Sequence, residues 1–134
     1  MQVTVRGYPF DLDERFLDAP PEKVREQVAA YGAGERTAFD LGVALPEGLL
    51  GEVMAAMLAI PYGETRTYGD LAAELDTGAV AVGQACGSNP VPVVVPCHRV
   101  VGTDSLGGFS AAGGPAAKRA LLDHERGQQK LSAY

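Results

Sequence analysis

The chain has 134 residues, 46% of them hydrophobic, no tryptophan, and a formal net charge of −6 from 17 acids and 11 bases. That is apolar surface enough for one compact core, no apolar run reaches the length of a membrane span, and residues 1–6 open no signal-peptide stretch. Two cysteines, Cys86 and Cys97, make no disulfide framework and fit a reducing, cytoplasmic setting, while the acid excess opposes unspecific attraction to nucleic acid.

In chain order, Val3 to Val5 reads as a short strand. Pro20 to Tyr31 reads as a helix, with proline at its start, Val24, Val28 and Tyr31 along one face, and Gly32 at its end. Thr37, Phe39, Leu41, Val43 and Leu45 alternate with small or polar residues, a period of two that predicts a strand. These elements form a small N-terminal α/β lobe over residues 1–45, and Pro46-Glu47-Gly48 marks its boundary.

Residues 46–134 read as mostly helical, giving an α/β (α+β) class for the whole chain. Leu49, Leu50, Val53, Met54, Met57 and Leu58 recur at helical spacing, and that helix must stop before Pro61. The methionines belong to a core face. Thr67-Tyr68-Gly69-Asp70 has the form of a capping box opening a short helix through Leu71, Ala72 and Leu75. After Gly78 comes a second helix of small side chains, Ala79 to Gly87, which makes the pair a helix-turn-helix candidate. Small side chains let a helix lie flush against a groove wall, but they serve close helix–helix packing equally well.

Asn89-Pro90-Val91-Pro92 predicts a rigid turn, followed by a valine strand and Pro96-Cys97-His98-Arg99-Val100. On extended backbone Cys97 and His98 point to opposite sides. Pro115 to Glu125 reads as a helix with Glu125 near its dipole-unfavourable C-terminal end, and Arg126 to Tyr134 reads as a fraying polar tail. The segment from Thr77 to Thr103 has no carboxylate and one cation, Arg99, a gap in the acidic pattern that coincides with this run. A thiolate is the reactive form of cysteine and a neighbouring imidazole can take its proton, so Cys97 is the candidate nucleophile.

The stretch from Ile60-Pro61-Tyr62-Gly63 through the Pro96–Val100 pentapeptide resembles the O6-alkylguanine-DNA alkyltransferases, and the resemblance runs from about Leu45 to Glu125. It implies a winged-helix-like helix-turn-helix domain that binds double-stranded DNA, flips an O6-alkylguanine, and moves the alkyl group irreversibly onto Cys97. It implies a water between Cys97 and His98, with Glu125 holding the other ring nitrogen. By the same resemblance Tyr68 serves the purine ring nitrogen, and Lys118 with the Ser110 N–H serves O6. The carbonyls of Cys97 and Val100 read the exocyclic amine, Phe109 walls the alkyl pocket, and Asn89 braces the turn. DNA contacts are expected from Tyr68, Val80, Ala81, Gln84 and Arg99. No cofactor is implied; Cys86, Cys97, His98 and His124 match no recognised zinc spacing, and a monomer is the default.

The chain departs from the family at three places. Val80 stands where an intercalating arginine is usual, after a helix–helix connection two residues shorter; Phe109 stands where tyrosine is common, in a glycine-rich run, Gly107–Gly114, that carries a small insertion; and the N-terminal lobe is short, with no zinc-site cysteines. An apolar wedge is an alternative minor-groove device. Two other readings stay open at this point: a damage sensor that binds the lesion without transfer, and a cysteine hydrolase using Cys97, His98 and Glu125.

Overall fold

A computed structural model describes residues 1–132, and side-chain surroundings through residue 127. The chain opens with an antiparallel hairpin, β1 (Gln2–Val5) and β2 (Tyr8–Asp11), which pairs Val3 with Phe10 and Val5 with Tyr8. Arg6 and Gly7 turn the corner with φ of 52° and 88°, the left-handed pair that a two-residue hairpin needs. Val3, Val5 and Phe10 point into the core. After β3 (Leu17–Asp18), α1 (Pro21–Gly32) buries Val24, Gln27, Val28 and Tyr31, the stripe expected from the spacing.

The alternation from Thr37 to Leu45 does not become a long strand. Only Gly42–Val43 forms one (β4), against the two residues of β3. A strand persists only where a neighbour offers ladder groups, and elsewhere side chains satisfy the backbone. Gln27 does so for Asp40, donating from Nε2 to its carbonyl at 3.2 Å and accepting its N–H at 2.8 Å. Phe39 packs on the Tyr31 ring instead of continuing a sheet, with ring centroids 5.5 Å apart.

Helix α2 (Leu49–Leu58) buries Val53, Met54 and Met57, so the methionines are core residues. β5 (Arg66–Thr67) leads into α3 (Tyr68–Glu74), whose capping box is complete: Asp70 N donates to Thr67 Oγ1 at 3.0 Å and Thr67 N to Asp70 Oδ2 at 2.9 Å. α4 (Ala79–Gly87) packs on both α3 and α2, burying Val82 and Ala85. β6 (Val100–Val101) pairs parallel to β5, Arg66 with Val100 and Thr67 with Val101, tying the helix pair to the segment after Cys97. One apolar cluster runs from Val3 and Phe10 through Tyr31 and Met54 to Leu121; each such side chain contributes roughly 1.5–3 kcal/mol on burial.

Two further expectations need correction. The valines before the pentapeptide form a tight loop, not a strand: Val93 has φ of 75°, and Val95 N donates back to the Val91 carbonyl at 2.9 Å. A β-branched residue rarely takes that conformation, and the surrounding packing must hold it. Helix α5 (Pro115–Ser132) runs beyond Glu125, so this carboxylate sits inside the helix and not at its C-terminal end. Arg126–Ser132 is therefore helical, whereas Ala133 and Tyr134 lie outside the described residues. No helix among the described residues is long and apolar enough to cross a membrane.

Candidate active site

The loop that replaces the expected strand is braced from within. Asn89 Nδ2 donates to the Val95 carbonyl at 2.8 Å, and its Oδ1 accepts the Val91 N–H at 3.0 Å. Cys97 N donates to the Val95 carbonyl at 2.8 Å and opens a single 3₁₀ turn, Cys97–Arg99, in place of extended backbone. All three residues of that turn are buried, Cys97 to 6% exposure and His98 completely.

Glu125 on α5 is the centre of the polar cluster. Its Oε2 lies 2.7 Å from His98 Nε2, accepts the Tyr31 hydroxyl at 2.6 Å, and accepts Arg99 Nη2 at 3.0 Å. Its Oε1 accepts Arg99 Nε at 2.9 Å and the Gly63 N–H at 3.1 Å. Burial alone would raise the carboxyl's pKa. The hydrogen bonds of His98 and Arg99 and the Arg99 charge outweigh it and hold the group well below the usual carboxylate range. An ionised Glu125 fixes the proton of neutral His98 on Nε2. Burial also keeps the imidazole neutral, against the pull of the carboxylate. His98 Nδ1 is then a bare acceptor; it is buried and meets no hydrogen-bond partner among the described residues.

The expected pairing of His98 with Glu125 is thus present. The expectation for Arg99 is not: it is a buried ion-pair partner of Glu125, with Nη1 on the Ile60 carbonyl at 2.8 Å and the guanidinium 5.6 Å from the Tyr62 ring centroid. A group so enclosed has no face left for DNA. A forked guanidinium matches a carboxylate better than any surface role would explain.

Cys97 opens onto a cavity of about 930 Å³, lined also by Tyr68, Val80, Asn89, Phe109 and Ser110. Burial pushes the Cys97 thiol up, while the Asn89 side chain and the Lys118 ammonium oppose the shift. Lys118 is fully buried and donates to the Val100 carbonyl at 2.6 Å, the Gly108 carbonyl at 3.1 Å and the Tyr68 hydroxyl at 3.3 Å. Tyr68, Lys118 and Val100 are therefore one hydrogen-bonded group, of which Tyr68 lines the cavity. The Val100 carbonyl is engaged by Lys118 yet keeps a second lone pair. Phe109 stands edge-on to Phe10, with centroids 6.4 Å apart. On α4, Val80 is 76% exposed, Gln84 is exposed and Ala81 half-buried. His124 Nε2 donates to the Tyr31 carbonyl at 2.8 Å, and no group of three or more His, Cys, Asp or Glu placed to hold a metal occurs among the described residues.

Five contributors to the site were not read from the sequence. Tyr31 was assigned to the core face of α1, the Gly63 N–H carries no side-chain signature, and Cys86 lines the same cavity beside Cys97. Gln2 and Asp11 of the N-terminal hairpin line it too. Only the fold brings them there.

A helix-turn-helix pair joined to a buried thiol, imidazole and carboxylate defines a narrow class of protein, and comparison with known chains agrees. A family model described as 6-O-methylguanine DNA methyltransferase, DNA binding domain, matches residues 50–127, and the chain belongs to that family. A methylated-DNA–protein-cysteine methyltransferase of Mycobacterium tuberculosis is 46% identical over 105 residues, 75% of this chain and 62% of that protein. One from Archaeoglobus fulgidus is 39% identical over 123 residues, covering 88% and 82%. The crystal structure of Mycobacterium tuberculosis OGT in complex with DNA superposes with a TM-score of 0.74 at 44% identity, over 80% of this chain and 68% of that one. The chain spans 62% of the length of the mycobacterial relatives it matches.

Proposed function

We propose that this chain repairs O6-alkylguanine in double-stranded DNA by a single, irreversible transfer of the alkyl group to Cys97. The observation that carries the reading is the cavity lined by Cys97 and by Tyr68, whose hydroxyl accepts Lys118 Nζ, backed by the buried His98–Glu125 pair. In the transfer, the Cys97 proton passes through one water to His98 Nδ1, and Glu125 stabilises the imidazolium so formed. Sulfur then attacks the alkyl carbon in line; the S–C bond forms as the C–O6 bond breaks. The departing guanine takes a proton at its ring nitrogen from Tyr68, and Lys118 with the Ser110 N–H stabilises O6. A thioether does not revert, so each chain reacts once.

The alkylated base lies inside the stack and must be flipped, at a cost of a few kcal/mol. The exposed Val80 at the start of α4, with Ala81 and Gln84, forms the surface that meets the groove, and Val80 serves as an apolar wedge. Residues 1–45 act as a supporting lobe for the alkyl-transfer domain over residues 46–134. The working unit is a monomer in the cytoplasm.

The test is incubation with a duplex bearing one O6-methylguanine, followed by intact and peptide mass. One methyl group added on Cys97, absent in Cys97→Ala, is the expected result. Lesion binding without modification would replace this reading with that of a damage sensor.

A further inference from the structure

Tyr31 joins the N-terminal lobe to α5 by two neighbouring bonds, one of them to the Glu125 carboxylate. Its hydroxyl donates to Glu125 Oε2 at 2.6 Å, and its carbonyl lies 2.8 Å from His124 Nε2. The ring is wholly buried and wedged between Phe39, Tyr62 and His124, with centroids 5.5, 6.1 and 5.4 Å away. The phenol therefore cannot swing away from the oxygen it addresses, and that oxygen is the one shared with His98 Nε2.

We propose that Tyr31 is a positioning residue for the nucleophile: its hydroxyl occupies a lone pair of Glu125 Oε2 and so limits how strongly this carboxylate draws His98 towards the imidazolium. The inference rests on the proposed role of His98 as acceptor of the Cys97 proton. The physical argument concerns competition for one oxygen. A carboxylate oxygen that receives a strong O–H donor is less basic towards a second donor. Burial keeps the Tyr31 phenol protonated well above its ordinary range, so it acts as a fixed donor and never as a base.

The groups facing this carboxylate are few and named. His98 and Arg99 reach it from the 3₁₀ turn, Gly63 N–H and the Tyr62 ring from the loop after α2, and Tyr31 from α1. His124 faces the Tyr31 ring from α5 itself, and the Lys118 charge acts on His98 from the same helix. Of these, the tyrosine hydroxyl is the donor that can be deleted without removing a charge.

The acid limb of Cys97 reactivity reports the proton on His98, because an imidazolium cannot accept another from the thiol. Deleting the Tyr31 hydroxyl strengthens the pull of Glu125 on the imidazolium, which forms at higher pH. The whole limb then moves upward. Mere loosening of the packing would instead lower the rate by one factor at every pH.

The experiment follows iodoacetamide alkylation of Cys97 against pH by peptide mass, with Cys86 read separately. In Tyr31→Phe the acid midpoint should rise by about half to one pH unit. Site-specific 3-fluorotyrosine at position 31, a stronger donor of the same shape, should lower it, and this serves if Tyr31→Phe folds poorly. Phe39→Leu weakens the packing around Tyr31 without touching the hydroxyl, and should lower the melting temperature while leaving the midpoint in place. An unchanged midpoint in both hydroxyl variants, shifts of reversed sign, or an equal shift in Phe39→Leu would overturn the proposal. Iodoacetamide needs no DNA, so a chain that fails to take methyl from a lesion duplex would sink the repair reading and leave this titration readable.

Discussion

Arg99 closes on Glu125 as a fork, Nε at 2.9 Å from Oε1 and Nη2 at 3.0 Å from Oε2, with both side chains buried. Removing one member of such a pair leaves a charge in a dry site. Arg99→Met should destabilise the fold by about 3–5 kcal/mol in urea titration. Arg99→Lys should recover only part of the loss, since an ammonium cannot engage both oxygens. Near wild-type stability for Arg99→Met would show that the fork adds nothing.

Glu125 makes the fold acid-sensitive in a defined direction. Its carboxyl, pulled down chiefly by His98 and Arg99 against the effect of burial, stays ionised in the folded chain at pH values where the unfolded chain binds a proton. Stability from this group is fully present above the ordinary glutamate value, about pH 4.3, and declines as pH falls below it. Melting temperature should be level from pH 7 to about 5 and then drop. The drop should be shallower in Glu125→Gln, which starts from a lower plateau because its neutral amide leaves Arg99 unpaired.

Val80 offers a gain-of-function test. It is 76% exposed and opens α4. Val80→Arg should tighten duplex binding roughly three- to ten-fold in fluorescence anisotropy and steepen the salt dependence by about one counterion. Unchanged or weaker binding would remove α4 from the groove-facing surface.

Gly107 guards the position of Tyr68. Its φ is 80°, and a Cβ there would lie 2.7 Å from Tyr68 Cε2 and from the hydroxyl. Gly107→Ala should cost about 1–2 kcal/mol in backbone conformation. The larger effect should fall on methyl transfer, roughly ten-fold or more, because Tyr68 must leave Lys118 to make room. Equal losses in transfer and stability would deny Tyr68 a part in the chemistry.

Local signals in the sequence translated well where the chain satisfies itself. The capping box at Thr67, the apolar stripe of α1 and the methionine face of α2 depend on residues three or four positions apart, and each formed as read. The alternation from Thr37 to Leu45 failed because a strand needs a partner, and β3 supplied two residues. The valine run failed for a different reason: the Asn89 side chain turns it into a loop, which no apolar pattern can announce. His98 and Glu125 were legible as a pair through resemblance. Arg99 was expected on DNA, and its fork on Glu125 stayed hidden because the two residues are 26 positions apart and only the fold joins them. Tyr31 stayed hidden for the plainest reason, since on a helix face an aromatic anchor and a hydrogen-bond donor are spelled alike.

The depth of Cys97 also governs how the chain ages. A thiol that is 6% exposed and pushed up by burial is almost wholly protonated when nothing fills the cavity. Peroxides and electrophiles react fastest with thiolates at open surfaces, so Cys97 is consumed slowly at trace levels of them while still reacting with a reagent in large excess. Under the single transfer proposed above, this burial slows such loss, and most of the sulfur should survive the wait between synthesis and use.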